Sequence, residues 1–212
     1  EGQNRTLDRF KDRRYIPLRS DLAKLARAGN QPYWKTDTHW SSVGSALLAE
    51  RLAQQFNPAA AARLETAAGT RTKVGDLTLL AGLDFKEEAP SVDVTFGGKV
   101  DEGPASDHFV ESEPVYGTHR WTTTPAAGLV QGRTALVGDS FTYFALGNLR
   151  PLFAEGEFFW VGQPASTEDI VDGILASDNV VISVAQRNVA RNLLITEYFY
   201  VSLVRALLAE AH

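Results

Sequence analysis

The segment Thr134-Ala135-Leu136-Val137-Gly138-Asp139-Ser140-Phe141 decides the fold of this chain. Its first half is a short apolar run, which is typical of a strand buried on both faces of a parallel sheet. Gly138 and Asp139 interrupt the run, and residues 141–149 then favour a helix that ends before Pro151. A buried strand that leads directly into a helix is the repeating unit of α/β proteins.

The same alternation continues toward the C-terminus. Apolar runs predict strands at 157–161 and 179–184, and helical spacing predicts helices at 166–175 and 191–211. Strands that are connected through helices by short links favour parallel pairing. We therefore predict an α/β fold with a central parallel sheet flanked by helices.

The N-terminal part is helical, and the middle of the chain has weaker patterns. Apolar spacing predicts helices at 7–28 and 42–56, the second capped by Ser41 or Ser42. Between 57 and 131 we predict only a short helix within 75–83 and strands at 92–96 and 118–122. We interpret 1–212 as a single domain in which about 90–131 is an insertion of loops and β-hairpins. This insertion either carries substrate contacts or is purely structural.

The composition is that of a globular protein and excludes several classes. Of the 212 residues, 44% are apolar and 22% are charged, and the net charge of −5 argues against broad electrostatic binding to nucleic acid. The chain has no cysteine, so disulfides and thiolate metal sites are excluded. No apolar run is long enough for a membrane-spanning helix. The chain also has no Met, and we expect it to be a processed or N-terminally truncated form.

Two short segments about one hundred residues apart hold the groups of a serine nucleophile site. Ser140 follows a predicted strand, at the edge of the sheet where the reactive groups of α/β proteins gather. The following helix would direct backbone N–H groups toward an oxyanion, and Gly138 would permit a tight turn. Asp37 and His39 are two residues apart in the segment 31–39, which we predict to be extended or looped. In an extended segment their side chains would leave on the same side, and the carboxylate could orient the imidazole.

Each of these residues also has a simpler interpretation. Ser140 could serve only as the N-cap of its helix, and Asp37 and His39 could be unrelated surface residues. Asp-x-His and Gly-Asp motifs also occur in metallophosphoesterases, which need several further His and Asn ligands around two metal ions. Leu149 stands where such a His would be required, and no His lies between Arg120 and His212. We therefore predict neither a metal nor a cofactor.

Three segments together resemble one protein family. Tyr33–Trp40 resembles the Asp-x-His-Trp block of the AlgJ and AlgX group of polysaccharide O-acetyltransferases, which belong with the SGNH-hydrolase-like proteins. Val137–Phe141 resembles the Gly-Asp-Ser-Phe block of that group, and Gly75–Leu83 resembles a segment between the two. The order of the two main blocks, with Asp-x-His before Ser, is also that of the group. The resemblance extends over about 21–192.

The resemblance implies an SGNH-hydrolase-like fold in which Ser140 is the nucleophile, His39 the general base and Asp37 its orienting acid. It implies transfer of an acetyl group, through an acetyl-enzyme, to hydroxyls of a bacterial exopolysaccharide such as alginate or of a cell-wall glycan. It also implies a periplasmic or other extracytoplasmic location, an acetyl donor and a membrane-bound acyl exporter as partner. Family domains normally have another strand and turn before the helix near Asp21, and that strand is either missing from this chain or supplied differently.

Five further residues are candidates for oxyanion stabilisation or substrate binding. Gly138 lies beside the proposed nucleophile. Arg187 follows a predicted strand end and could replace the Asn oxyanion block that SGNH proteins have and this chain lacks, or it could cap a surface helix. Trp34 and Trp40 flank Asp-x-His and could stack on a sugar or pack inside the loop. Tyr143 lies in the first turn after the serine and could line the pocket.

Three functions remain compatible with these residues. We predict a serine-dependent O-acetyltransferase. A carbohydrate acetylesterase would use the same three groups with water as the acceptor, and the choice depends on how well the pocket excludes water and positions the sugar. A non-catalytic glycan-binding scaffold could retain the same fold, although the retention of all three residues argues against it.

Overall fold

The computed structural model describes residues 12–103, 108–110, 113–115, 118–124, 127–161, 167–185, 201–205 and 209. Its helices are α1 (Arg19–Arg27), α2 (Ser42–Phe56), α3 (Pro58–Ala61), α4 (Asp76–Leu80), α5 (Ser140–Leu149) and α6 (Thr167–Leu175). Its strands are β1 (Glu65–Val74), β2 (Lys86–Thr95), β3 (Val100–Glu102), β4 (His108–Val110), β5 (Glu113–Val115), β6 (His119–Thr123), β7 (Val130–Gly138), β8 (Phe153–Trp160) and β9 (Asn179–Ser183).

The main sheet has five strands in the order β3-β6-β8-β7-β9. The strand β7, which contains the apolar run 134–137, pairs in parallel with β8 and with β9. Helix α5 connects β7 to β8, and α6 lies between β8 and β9, so the predicted α/β fold with parallel strands at its centre is confirmed. On the other side of β8 the chain adds two antiparallel strands, β6 and then β3, which make the sheet mixed.

Both faces of β7 are covered. Leu136 packs in the core that α2 and α5 share, whereas Ala135 and Val137 pack in a second core beneath α6. All three side chains are fully buried. Successive side chains of a strand point to opposite faces, so an unbroken apolar run needs helices on both sides of the sheet. Burial of each larger side chain of this kind contributes about 1.5–3 kcal/mol.

A separate antiparallel ribbon is formed by β1 and β2, with α4 between its two strands. β1 is exposed over most of its length, whereas β2 alternates between buried and exposed residues. The buried side of β2 packs on α2 and α5. The helix predicted within 75–83 and the strand predicted at 92–96 both belong to this ribbon. The strand β1 was not predicted.

Two predicted helices differ in extent from the structure. Of the helix predicted at 7–28, residues 19–27 are helical and residues 12–18 are not, whereas residues 7–11 lie outside the described residues. Pro17 explains the late start, because the residue before a proline is disfavoured in the helical conformation. Of the helix predicted at 191–211, residues 201–205 are helical and most of the others lie outside the described residues. Among the described helices, none combines the length and the apolar character that a membrane crossing requires.

The segment predicted as an insertion, about 90–131, contributes to several parts of the fold. It contains the second half of β2, and it supplies β3 and β6 to the main sheet. Among the strands that the structure describes, the short β4 and β5 pair with one another alone, in antiparallel fashion. The strand predicted at 118–122 corresponds to β6.

Candidate active site

The loop that carries Asp37 and His39 is closed on itself at its base. Tyr33 and Trp40 form an isolated antiparallel bridge, and the backbone N–H of Trp34 donates to the carbonyl of His39 at 3.3 Å. Of the extended and looped conformations that we predicted for residues 31–39, the structure has the loop, in the form of a compact turn. The side chains of Asp37 and His39 nevertheless meet, because an aspartate accepts readily from the backbone N–H two residues later.

The Asp37 carboxylate and the His39 imidazole are in direct contact. The Oδ1 atom of Asp37 lies 2.7 Å from Nδ1 of His39 and also accepts from the His39 backbone N–H at 2.8 Å. The Asp37 side chain is 2% exposed and that of His39 is 12% exposed. A carboxylate on Nδ1 fixes the tautomer in which Nδ1 carries the proton, so Nε2 is the nitrogen that can accept one.

Two residues that the sequence analysis did not assign to the site hold the other side of Asp37. Its Oδ2 atom lies 2.6 Å from the ammonium of Lys73 and accepts from the backbone N–H of Asp76 at 3.1 Å. Asp76 lay within the segment 75–83 noted for its family resemblance, but Lys73 gave no signal because it is one cation in a polar strand. Only the pairing of β1 with β2 beside the loop brings it to Asp37.

Burial raises the pKa of Asp37, but hydrogen bonds oppose this effect and prevail. The ammonium of Lys73, the backbone N–H groups of His39 and Asp76, and the ring of His39 together lower the pKa of Asp37 from 3.8 to about 2. Hydrogen bonds to the charged form of a carboxylate stabilise that form. Asp37 is therefore ionised throughout the range in which an imidazole can act as a base.

Two further carboxylates hold the loop from outside. Asp76 accepts from the backbone N–H of Thr38 at 2.7 Å and from its hydroxyl at 2.5 Å. The buried Glu87 of β2 accepts from the backbone N–H of Thr36 at 2.8 Å and from its hydroxyl at 2.7 Å. Glu87 also accepts from the backbone N–H of Lys35 and the side chain of Gln31. Although burial raises the pKa of Glu87, these donors lower it overall.

The imidazole of His39 packs against the first turns of α5. Its ring centre lies 5.1 Å from that of Phe141 and 4.5 Å from that of Phe144. The neighbouring Trp40 donates its indole N–H to the carbonyl of Phe141 at 2.7 Å. The loop and the N-terminal end of α5 are therefore joined, although about one hundred residues separate them in the chain.

Helix α5 begins at Ser140, but its N-cap is Asp139. The side chain of Asp139 accepts from the backbone N–H of Phe141 at 2.9 Å and from that of Ala185, just beyond β9, at 2.8 Å. The interpretation of Ser140 as the N-cap is therefore wrong, because the aspartate before it takes that position. The N–H of Phe141 is used in the cap, which removes it from the set of donors expected for an oxyanion.

The predicted role of Gly138 in a tight turn from β7 into α5 does not depend on a left-handed backbone. Gly138 ends β7, and its φ angle is not in the positive range. A side chain at this position would place a carbon 2.2 Å from the hydroxyl of Thr142 and 2.7 Å from the carbonyl of Ser183. The glycine therefore permits α5 to approach the ends of β7 and β9 closely.

The structure places Ser140 and His39 on adjoining elements. Ser140 is partly exposed at the first position of α5, and His39 contacts the residues one and four positions later. Within the described ranges, no hydrogen bond joins the Ser140 hydroxyl to the imidazole. Such bonds are often long in enzymes without substrate and shorten in the reacting complex.

A cleft of about 230 Å³ lies beside this arrangement. Lys73 and Phe144 line the cleft, and they also contact Asp37 and His39, respectively. Trp34 lines another part of the cleft. Trp40 also borders the cleft but is only 7% exposed, so most of its ring packs in the core and cannot serve as a sugar platform. Tyr143 lies outside the lining, among the rings of His119, Phe144, Phe158 and Trp160. Arg187 lies outside the described residues.

Asp37, His39 and Asp76 also have the spacing of a metal site, since one ligand atom from each lies within 4.8 Å of the others. Their oxygens are already committed, however. Each of the four carboxylate oxygens accepts at least one hydrogen bond, and one of them contacts the ammonium of Lys73. A cation placed among these groups would have to displace the donors and approach the lysine. The donor set therefore does not fit a metal ion.

Comparisons with known proteins place these observations in a family. A family model described as "SGNH hydrolase-like domain, acetyltransferase AlgX" matches residues 6–116. The matched segment contains Asp37, His39, Lys73 and Asp76 and ends before Ser140. No curated protein sequence matches the chain.

Several solved structures are similar to this chain at low identity. A DHHW family protein from Eubacterium siraeum DSM 15702 is 11% identical with a TM-score of 0.51, over 77% of this chain and 62% of that one. The O-acetyltransferase domain of Pseudomonas putida AlgJ is 18% identical with a TM-score of 0.49, over 90% and 66%. Bacillus cereus PatB1 is 14% identical with a TM-score of 0.46, over 74% and 63%. The chain thus spans less than two thirds of the length of each of these structures.

The first of these structures shares the fold of the chain, and the family model covers more than half of the sequence. The chain therefore belongs to the family of SGNH hydrolase-like domains of the acetyltransferase AlgX.

Proposed function

We propose that this protein is a serine-dependent O-acetyltransferase that moves an acetyl group to hydroxyls of a bacterial polysaccharide. The observation that carries the proposal is the contact of the Asp37–His39 pair with the first turns of the helix that Ser140 begins. An ionised carboxylate, an imidazole and a partly exposed serine at a helix N-terminus are the groups that activate a hydroxyl for acyl transfer.

In the first half of the reaction, the Oγ atom of Ser140 attacks the carbonyl carbon of the acetyl donor. The Nε2 atom of His39 takes the hydroxyl proton as the new C–O bond forms. Asp37 stays ionised and stabilises the resulting imidazolium through Nδ1. The tetrahedral intermediate then collapses, the bond from carbon to the leaving group breaks, and His39 returns the proton to that group. The product is an acetyl ester on Ser140.

In the second half, a sugar hydroxyl attacks the acetyl-enzyme. His39 accepts the proton of that hydroxyl, and the bond between the acetyl carbon and Oγ breaks. The proton then passes to Oγ and restores Ser140. Water in place of the sugar would give acetate, which is the reaction of a carbohydrate acetylesterase.

The oxyanion of both intermediates requires N–H donors. We propose the backbone N–H of Ser140 as one donor, since the N–H of Phe141 is occupied by the Asp139 cap. The positive end of the ten-residue helix α5 adds to this stabilisation. Arg187 remains a predicted side-chain donor, and Gly138 assists by letting the helix approach the sheet.

We propose that the cleft beside Lys73 and Phe144 accepts the sugar. Trp34 is partly exposed there and offers an aromatic face, while Arg71 and Asp93 supply charged groups on the ribbon. Tyr143 packs among other rings, so a positioning role fits it better than contact with substrate. Trp40 similarly supports α5 through its hydrogen bond to the carbonyl of Phe141.

The predicted location and partners follow from family membership and remain part of the proposal. They are a periplasmic or other extracytoplasmic location, a polysaccharide acceptor such as alginate, an acetyl donor and a membrane-bound acyl exporter. We propose neither a cofactor nor a metal.

The proposal is tested by intact-mass spectrometry after incubation with p-nitrophenyl acetate. We expect one acetyl group on the wild-type protein, mapped by peptide analysis to Ser140. Ser140→Ala should lose this adduct and lower ester hydrolysis by about 10³-fold or more, because the three groups act as a unit. Ser177→Ala, which changes a serine after α6, is the matched control and should keep both the acetyl adduct and the rate of ester hydrolysis. An unchanged turnover in Ser140→Ala would contradict the proposal.

The same experiment separates the alternative functions. With an added oligosaccharide, a transferase gives acetylated sugar, whereas an acetylesterase releases acetate at an unchanged rate. A non-catalytic scaffold would form no acetyl-enzyme at all.

A further inference from the structure

Lys73 is an unusual member of the ribbon strand β1. The first eight residues of that strand are exposed, whereas Lys73 is turned inward with its side chain 26% exposed. Its ammonium lies 2.6 Å from Oδ2 of Asp37 and 4.3 Å from the centre of the Phe144 ring. One side chain of the ribbon therefore contacts both the loop and α5.

The direct neighbour of Lys73 on the ribbon does not explain this position. Lys73 lies opposite Glu87 in the register of β1 and β2, and opposite charges at such positions ordinarily pair. Glu87, however, accepts instead from the backbone of Lys35 and Thr36. The carboxylate that a cross-strand lysine would normally contact is thus used to hold the loop, and the lysine contacts Asp37.

Lys73, Asp37, His39 and Phe144 form a closed network of contacts. Asp37 contacts the imidazole through Oδ1 and the ammonium through Oδ2, and both of these partners lie beside the same ring, that of Phe144. This network joins three elements: the loop, the ribbon and the helix that Ser140 begins. An ammonium over an aromatic face is attracted to it, and the attraction grows as water is excluded.

We propose that Lys73 is a positioning residue of the active site, which clamps Asp37 and α5 together so that His39 keeps its alignment with Ser140. This inference rests on the proposed function, because it assigns a role within the same site. A protonated lysine has no lone pair and accepts no proton, so Lys73 is not a base and affects the reaction through Asp37 and Phe144.

The test uses Lys73→Met, which keeps much of the length of the side chain and removes its charge, and Lys73→Arg, which keeps the charge. Lys86→Met is the matched control, because Lys86 is an exposed lysine of the paired strand β2 and lies opposite Val74 in the register. We expect Lys73→Met to lower kcat for p-nitrophenyl acetate hydrolysis by about 10- to 100-fold, since small misalignments of reacting groups have effects of this size. KM should change little, Lys73→Arg should recover most of kcat, and Lys86→Met should remain near wild type.

A second readout does not depend on activity. Titration of the ¹³C carboxyl signal of Asp37 should give a higher pKa in Lys73→Met than in the wild type, because the ammonium is among the groups that lower it. If Lys73→Met does not fold, Lys73→Gln serves in both measurements. A kcat near wild type in the folded neutral variant, or an unmoved Asp37 titration, would overturn the inference. Failure of the wild type to form an acetyl-enzyme would instead refute the proposed function. The titration of Asp37 would still show whether Lys73 acts on that carboxylate.

Discussion

Replacement of Asp37 by Asn tests the electrostatics of the site most directly. The two side chains have the same shape, but Asp37 accepts at both oxygens: from His39 at Oδ1, and from Lys73 and Asp76 at Oδ2. In either orientation, the amide of Asn turns an NH₂ group toward one of these sets of donors. Each buried donor left without its acceptor costs about 1–3 kcal/mol.

The pH dependence of the loss can be worked out from the pKa of Asp37. This pKa is about 2 in the folded protein against an ordinary value of 3.8, which corresponds to about 2 kcal/mol of stability. Because the folded-state pKa is depressed, this contribution is fully present above about pH 4 and is lost as the pH falls through about 2. Asn cannot titrate in this range, so the variant lacks the contribution at every pH.

The assay is urea unfolding of wild type and Asp37→Asn, followed by tryptophan fluorescence between pH 6 and pH 2.5. We expect the difference in unfolding free energy to be largest near pH 6 and to shrink by about 1–2 kcal/mol toward pH 2.5. Ester hydrolysis at pH 7 should fall by about 10³- to 10⁴-fold, because the imidazole loses its orienting acid. A difference that stays constant across this pH range would refute the reasoning about Asp37.

Two substitutions test the support of the loop, and a chelator tests for a metal ion. Gly75→Ala would place a carbon 1.9 Å from the carbonyl oxygen of Thr36, so we expect a loss of about 1–3 kcal/mol in urea unfolding and a loss of ester hydrolysis. Gly147→Ala, which meets open space, is its control and should unfold no more easily than wild type. Glu87→Gln should also lower the free energy of unfolding by about 1–3 kcal/mol in the same assay. An amide cannot accept hydrogen bonds from all the loop donors that Glu87 satisfies. EDTA should leave ester hydrolysis unchanged, and recovery of lost activity by a divalent cation would revive the metallophosphoesterase interpretation.

The elements that bury a regular apolar pattern could be predicted from the sequence. The run 134–137 predicted the buried strand β7, and the spacing of 42–56 predicted α2, because each pattern reflects which faces are covered. The strand β1 could not be predicted in this way. Its small and polar residues are mostly exposed and do not alternate, so pairing with β2 alone makes it a strand. The antiparallel direction of β6 likewise depends on its pairing with β8 and β3 in the folded chain.

The site was predicted in part, for similar reasons. Asp37 and His39 are close in sequence, so their contact could be expected from local geometry. Lys73 reaches Asp37 only through tertiary pairing and left no local signal. The choice between Asp139 and Ser140 as N-cap was also undetermined, because both residue types cap helices and only the backbone conformation of Asp139 decides between them.

The separation of the loop from α5 along the chain has a consequence for how the protein is made. A ribosome completes the segment with the acid, the base and the lysine well before it reaches the serine. A polypeptide that stopped near residue 117 would carry three of these side chains with nothing to activate, and the remainder would carry a serine without a proton acceptor. Under the proposed mechanism, reactivity toward acetyl esters would begin only when α5 docks against the loop, so the onset of ester hydrolysis would report that docking.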